Sequence, residues 1–277
     1  MKNYVVLIAL LAYYLTSAQE FRGTATYEVK LNVNVPKADN SGKELPPDIQ
    51  AAMAAQLMKA SLKTYTLDFD KSASLYQQEE RLDVPQPQSQ VQVQINSIGD
   101  GKLYRNLKEK VLLQETELFG KEFLVTDTLK KPEWQLGVET KKIGDYLCHK
   151  ATMTIKPPKV KDELKQQSSP GIMIMEPREM VITAWYTTEI PVAHGPADYW
   201  GLPGLILEAG DGHRSILCSK VVLNPANVKE IVKPSKGKKI NREEFQKLAI
   251  DKAIEMQQMN NRENGGNGGM RIIRAGG

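Results

Sequence analysis

A strictly alternating stretch from Thr24 to Asn34 constrains the fold more than any other feature of this sequence. Every second position is apolar, and the positions between carry Thr, Glu, Lys or Asn. Successive side chains of a β-strand point to opposite faces, so the pattern predicts a strand of an antiparallel sheet with one buried face and one solvated face. The apolar positions are Ala25, Tyr27, Val29, Leu31 and Val33.

Short runs of the same kind continue along the chain. Residues 102–136 hold four of them, separated by two to five turn-type residues, and residues 146–155 and 178–188 hold two more. Such spacing is typical of a meander of hairpins. Asp48 to Leu62 is Ala-rich without internal Gly or Pro and predicts a helix. We therefore expect a mainly β (α+β) fold: a single curved antiparallel sheet or half-barrel of short strands with one packed helix.

The character of the chain changes after Pro225. Asn241 with Glu244 three residues later resembles a capping box, and an amphipathic helix should follow it. The Gly/Asn-rich end of the chain cannot bury enough apolar surface to order itself. We expect three parts: a cleaved signal peptide at 1–18, the β domain at 19–225, and a basic linker, helix and disordered tail at 226–277. Residues 83–96 are polar and predict an exposed connection.

The first eighteen residues resemble an export signal. Lys2 is followed by an apolar run from Tyr4 to Leu15, and then by Thr16-Ser17-Ala18, which are small enough for a signal peptidase. The run is too short to remain as a membrane span, and no second apolar stretch of about 18 residues follows. We expect cleavage near Ala18-Gln19, no transmembrane span in the mature chain, and a location in the periplasm or outside the cell.

The charge of the chain makes nucleic acid an unlikely partner. The formal net charge is +4, and it falls to +3 when residues 1–18 are removed, because Lys2 is their only charge. The basic excess is local, with eleven Lys/Arg against six Asp/Glu in residues 227–277. A solvated basic tail explains this distribution, and contact with an acidic partner is the alternative. Nothing in the sequence points to a cofactor.

Two cysteines, Cys148 and Cys218, are compatible with an oxidising compartment. We expect a disulfide between them, which would close a long loop and stabilise the fold by about 4 kcal/mol in the chain-entropy model. Two free buried thiols are one alternative. A metal site with His149 and His213 is the other, although no C-x-x-C or H-x-x-x-H spacing supports it.

The segment "YWGLPGLILEAGDGH", Tyr199 to His213, concentrates glycine, proline and large aliphatic residues. The quartet Leu202-Pro203-Gly204-Leu205 matches a type II turn, in which Gly204 would supply a positive φ. A strand from Leu205 to Ala209, a turn at Gly210-Asp211-Gly212 and a return strand from His213 to Leu223 should follow. The motif is therefore expected to shape the backbone. Its six residues are Gly201, Leu202, Pro203, Gly204, Leu205 and Ile206.

This segment resembles the GLPGLI family, whose motif it matches letter for letter. The runs "IGDYLCHKA" and "ITAWYTTEIPVAHGPADYW" agree as well, so the resemblance is dense over about residues 100–225. The family is an exported one of Gram-negative bacteria without an established function. The resemblance therefore implies a compartment and a domain, but it supplies no catalytic residues.

Titratable residues near the motif are the candidates for catalysis. His194, Asp198, Asp211 and His213 could converge, but no G-x-S-x-G, H-E-x-x-H or paired-carboxylate signature accompanies them. His194 fits a surface or loop-bracing role better than that of a base, and Asp211 stands where turns favour Asp.

Aromatic residues offer a second candidate site. They could line a binding surface inside the half-barrel, although aromatics on a curved sheet are more often core. The members of this possible surface are Trp185, Tyr186, His194, Tyr199 and Trp200.

Two functions follow from these features. The first is a non-enzymatic cell-envelope protein, a binding or accessory module for an outer-membrane partner or an apolar ligand. The second is a metal-binding or hydrolytic periplasmic enzyme that uses the Cys and His residues near the motif.

Overall fold

The structure is a computed structural model that describes residues 21–32, 44, 46–79, 101–156, 179–226 and 230–263. Within these ranges it contains twelve strands and two helices. The strands are β1 (Arg22–Leu31), β2 (Leu62–Asp70), β3 (Ala73–Gln78), β4 (Gly101–Asn106), β5 (Val111–Leu118), β6 (Lys121–Thr128), β7 (Gln135–Ile143), β8 (Tyr146–Ile155), β9 (Met180–Thr187), β10 (Leu205–Gly210), β11 (Arg214–Leu223) and β12 (Lys238–Asn241). The helices are α1 (Pro47–Ala60) and α2 (Arg242–Glu263).

All of these strands belong to one open sheet, in the order β12-β6-β5-β4-β3-β2-β1-β11-β10-β9-β8-β7. The predicted mainly β fold is confirmed. The sheet consists of two meanders, β2 to β6 and β7 to β11, and β1 joins them by pairing with both β2 and β11. The pairing is antiparallel except at one edge, where β12 lies parallel to β6. The sheet is therefore mixed.

The link between β6 and β7 requires the sheet to curve. These strands are second and twelfth in the sheet order, so ten inter-strand spacings separate them. Ten spacings amount to about 48 Å along the sheet. Residues 129–134, which connect the two strands, can span at most about 25 Å when extended. The two edges must therefore approach each other across one face, which we call the inner face.

The inner face carries most of the core. Its strands contribute Tyr27, Leu67, Phe69, Ile182 and Tyr186, all at most 5% exposed. The loop between β9 and β10, residues 188–204, covers this face with side chains that belong to the same cluster. Near β6, Phe245 and Ala249 of α2 pack on Phe123 and Val125. The half-barrel is therefore filled by the protein's own loop and C-terminal helix.

The two helices differ in how far they are buried. None of the residues of α1 is buried, so the helix that packs on the sheet is α2. Asn241 caps α2 as predicted, because its side-chain oxygen accepts a hydrogen bond from the backbone N–H of Glu244 at 2.8 Å. The helix continues to Glu263, into the stretch that was expected to lack order.

Several predicted segments lie outside the described residues: the signal peptide at 1–18, the polar connection at 83–96 and the tail at 264–277. In the part of the chain that is described, neither helix combines the length and the apolar character that crossing a bilayer requires.

Candidate functional site

The motif at residues 201–206 is not a type II turn. The φ angle of Gly204 lies outside the left-handed region, and the positive φ, +91°, belongs to Gly201. Gly204 is needed for a different reason: a β-carbon there would lie 1.9 Å from the carbonyl oxygen of Thr187. The glycine allows β10 to begin directly against the end of β9. The hairpin that follows is confirmed, with β10 ending at Gly210 and β11 beginning at Arg214.

The loop 188–204 is part of the core. The side chains of Ile190, Val192, Tyr199 and Leu202 are at most 2% exposed. Backbone hydrogen bonds fold the loop on itself, from Gly201 N–H to the Ala193 carbonyl (3.0 Å) and from Leu205 N–H to the Ile190 carbonyl (2.9 Å). The loop therefore has a defined shape on the inner face.

Arg105 on β4 holds this loop from the opposite side of the half-barrel. Its side chain is 1% exposed. One Nη donates to the Ala197 carbonyl at 2.6 Å, and the other lies 3.5 Å from the Gly195 carbonyl. The guanidinium carbon stands 5.7 Å from the ring centroid of Trp200. Burial lowers the pKa of Arg105 to about 10, so it stays charged at neutral pH.

The side chain of His194, a residue of this loop, is buried, which rules out the surface alternative of the predicted surface or loop-bracing role. The residue is fully buried, and neither imidazole nitrogen makes a hydrogen bond within the described residues. Burial first, and the nearby Arg105 charge second, lower its pKa to about 3. The backbone and the carboxylate of Asp70 act in the opposite direction and raise the pKa, although neither forms a hydrogen bond with the imidazole. At neutral pH the ring is uncharged and packed into the protein.

Asp211 has the turn role that its position predicts. Its Oδ1 accepts hydrogen bonds from the backbone N–H of His213 and of Arg214, both at 2.8 Å. Its Oδ2 lies 3.3 Å from the Tyr199 hydroxyl and 3.3 Å from Arg214 Nε. Burial raises the pKa of Tyr199 to about 12. This network joins the loop to the β10–β11 hairpin.

The four catalytic candidates therefore face different surroundings. His194 is buried near Arg105, whereas Asp211 and the exposed His213 belong to the β10–β11 hairpin. Asp198 is exposed and lies 3.7 Å from Arg242 at the start of α2.

The five aromatic and histidine candidates for a binding surface also separate. Tyr186, His194 and Tyr199 are buried in the core. Trp185 is the chain neighbour of Tyr186 on β9, so it points to the other side of the sheet, which we call the outer face. There Lys141 Nζ lies 4.4 Å from its ring centroid and 2.7 Å from Glu208. The carbonyl oxygen of Trp200 accepts a hydrogen bond from the indole of Trp134 at 2.7 Å.

The predicted disulfide is wrong: Cys148 and Cys218 are both free. Cys148 lies on β8 and Cys218 on β11, with β9 and β10 between them. Three inter-strand spacings amount to about 14 Å along the sheet, whereas a disulfide requires Cα atoms within about 7 Å. Burial raises the pKa of each thiol to about 11. In the ranges that the structure describes, no three His, Cys, Asp or Glu side chains are grouped to hold a metal ion.

A groove on the outer face was not predicted from the sequence. Residues 230–237, which we call the strap, run along this face toward β5 and β6. Ile231 of the strap packs against the outer-face cluster formed by Ala73, Leu75, Tyr104, Leu113 and Leu124. Beside the strap lies a groove that is open to solvent and has a volume of about 330 Å³. Leu113, Leu124 and Thr126 form its floor on the sheet, Lys233, Pro234 and Ser235 its strap side, and Lys239 of β12 completes it. This volume falls at the lower end of the range of ligand sites.

Ion pairs and hydrogen bonds hold the strap in place. Glu115 on β5 accepts hydrogen bonds through one oxygen from the backbone N–H of Ser235 (3.0 Å) and of Lys236 (2.8 Å). Lys236 also pairs with Glu122 at 2.6 Å. Each contact is exposed and individually weak, but together they tie the strap to two strands. The groove is therefore present before any ligand binds.

Comparisons with known proteins bear on the middle of the chain. Residues 134–208 match the model of one family. Its description is "Protein of unknown function (Porph_ging)". The matched residues run from Trp134 through β7, β8, β9 and the loop to Glu208 in β10, and they are less than half of the chain. No curated protein matches the sequence.

Solved structures similar to the chain include PNGF-II in its C2 and P21 crystal forms. Sequence identity is 15% in both comparisons, and the TM-scores are 0.47 and 0.46. Each match covers 83% of this chain but 33% of the PNGF-II chain, so this protein spans about a third of the length of those structures.

Proposed function

We propose that this protein is an exported, non-enzymatic binding module of the cell envelope, of the GLPGLI type, which holds an apolar ligand in the groove on its outer face. The groove itself carries the proposal. It is preformed, it has a volume of about 330 Å³, and its floor consists of Leu113, Leu124 and Thr126. Pro234 adds a third apolar residue to the lining, and Lys233, Ser235 and Lys239 add polar groups beside Thr126. Ligand sites combine apolar and polar groups.

The packing of the inner face also favours the outer groove. The loop 188–204 occupies the concave side, where a ligand of a half-barrel would otherwise bind, and its residues belong to the main core. His194 is enclosed there, and Asp211 is engaged by backbone donors of the hairpin. Both residues act in the fold, so we assign binding to the groove.

Export is part of the proposal and rests on the sequence of residues 1–18. Its test is N-terminal sequencing of the protein recovered from the periplasm and from the medium of the expressing cells. We expect a chain that begins at Gln19. A chain that keeps Met1 and remains in the cytoplasm would contradict the export.

Ligand binding can be tested with the neutral dye N-phenylnaphthylamine, whose fluorescence rises in apolar surroundings. We expect saturable binding to the mature protein and its loss in Ser235→Trp, because Trp would fill the groove. The Ser235 side chain is exposed, and its hydrogen bond to Glu115 uses the backbone, so the variant should fold. Leu217→Trp, at an exposed position on β11, is the control and should bind like the wild type. Absence of saturable binding would reject the proposed function.

A further inference from the structure

We infer that the ligand of the groove is a free single-chain aliphatic carboxylate. The inference rests on the proposed function and names the chemical class of the ligand. It is based on the positive charges that stand beside an apolar floor. A neutral hydrocarbon would make no contact with these charges.

The floor is built from two strands in register. Leu113 on β5 lies opposite Thr126 on β6, and Leu124 of β6 lies between Glu115 of β5 and Lys239 of β12. Leu113 and Leu124 are 7% and 2% exposed. The apolar floor is therefore a narrow strip between the strap and β12. A strip of this shape can hold one extended alkyl chain.

The charged groups that line the groove are both lysines, Lys233 and Lys239, and no carboxylate lines it. Lys233 is engaged by Glu109 at 2.8 Å. Glu115, which lies opposite Leu124 across the β5–β6 pair, accepts hydrogen bonds from two N–H groups of the strap. Lys239 has no ion pair within the described parts of the chain.

Lys239 can therefore serve the head group of a ligand. It is directly opposite Leu124 across the β12–β6 pair, so its ammonium group stands at the end of the apolar floor. Lysine covers apolar surface with its methylene groups while its charge stays in water. An alkyl chain on Leu113 and Leu124 would bring a terminal carboxylate to this ammonium group, and a charge-assisted hydrogen bond would join the two.

The test compares decanoate with decanol, which has the same chain length and no charge, as competitors of N-phenylnaphthylamine on the mature protein. We expect decanoate to displace the dye at a concentration about tenfold lower than decanol, as one charge-assisted contact would produce. Lys239→Gln should abolish this difference. Lys238→Gln removes the neighbouring charge, which points away from Leu124, and should preserve it.

The other outcomes separate the ligand class from the function. Equal displacement by decanol and decanoate, unchanged in Lys239→Gln, would overturn the carboxylate and leave an apolar-ligand module. Binding to vesicles with anionic phospholipid that depends on Lys239, without displacement of the dye by decanoate, would overturn it in favour of a membrane head group. Dye binding that survives in a folded Ser235→Trp, or in Ser235→Leu if the first variant does not fold, would place the ligand elsewhere and reject the groove.

Discussion

Gly204 lies directly against the carbonyl group of Thr187, and a β-carbon on Gly204 would stand 1.9 Å from that oxygen. The contact joins the first residues of the β10 strand to the end of β9, since Leu205 is the register partner of Thr187. A left-handed backbone does not explain this glycine, because the φ of Gly204 lies outside that region. The glycine of the motif is therefore a packing residue.

Gly204→Ala should lower the free energy of unfolding by roughly 2 kcal/mol or more, because the backbone of Thr187 would have to move within a packed core. Urea denaturation measures this loss. Gly120→Ala is the control: Gly120 has a φ of +75° but open space around it, so the substitution should cost only about 1 kcal/mol of conformational strain. Equal losses in both variants would show that contact with Thr187 does not matter.

Arg105→Met should destabilise the protein by about 2 to 4 kcal/mol, because the carbonyl groups of Gly195 and Ala197 would lose a buried charged donor. Lys141→Met removes the ion pair with Glu208, whose side chains are about one third exposed, and should cost less than about 1 kcal/mol. Denaturation curves of the two variants give the comparison. Similar small losses would mean that Arg105 does not hold the loop.

His194 should make stability depend on pH between about 6.5 and 3. Its pKa is about 3 in the folded protein and 6.5 in a free side chain. Between these two pH values the unfolded chain binds a proton at His194 and the folded protein does not. The contribution of the neutral His194 to the free energy of unfolding is therefore complete above pH 6.5 and is lost as the pH falls toward 3. The expected loss from this residue between pH 7 and pH 4.5 is about 2 to 3 kcal/mol.

Urea denaturation of His194→Gln at the same two pH values tests the assignment. The variant should lose most of this pH dependence, whatever its stability at pH 7. His213→Gln, at the exposed hairpin, should retain it. The pKa of Asp70 is also lowered, but its contribution is lost only below the ordinary range of aspartate, so it does not mask the effect. An unchanged slope in His194→Gln would contradict the buried neutral imidazole.

Cys148 and Cys218 should remain thiols in protein purified without reductant. Reaction with a thiol reagent should be slow in the native state, because burial raises the pKa of both groups to about 11. After denaturation two thiols per chain should react, and the melting temperature should not change when reductant is added. A mass two hydrogens lower, or a melting temperature that falls with reductant, would show a disulfide instead.

Local sequence signals predicted much of the sheet. The part of the alternating stretch from Thr24 to Leu31 lies in β1, and residues 146–155 form β8 with the expected bounds. The hairpin at Asp211 was also predictable, because its turn is stabilised by contacts between residues two and three positions apart. In each case the side chains that decide the structure are neighbours in the chain.

Strand order decided the features that the sequence could not predict. Cys148 and Cys218 are separated because β9 and β10 lie between their strands. Lys239 reaches the groove because the short strand β12 pairs with β6, more than a hundred positions earlier in the chain. Neither relationship leaves a periodic signal, so only the assembled sheet reveals them.

The sequence by itself determined a mainly β chain with most of its strands, its hairpin and the start of its C-terminal helix, because these depend on alternation, turn residues and a cap within a few positions. The tertiary structure alone decided that Arg105 binds a loop some ninety residues away and that His194 is buried. It also decided that Gly204 packs directly against the carbonyl group of Thr187. Each of these depends on which distant strands and loops come into contact, and no pattern within a few positions of the chain reveals such contacts.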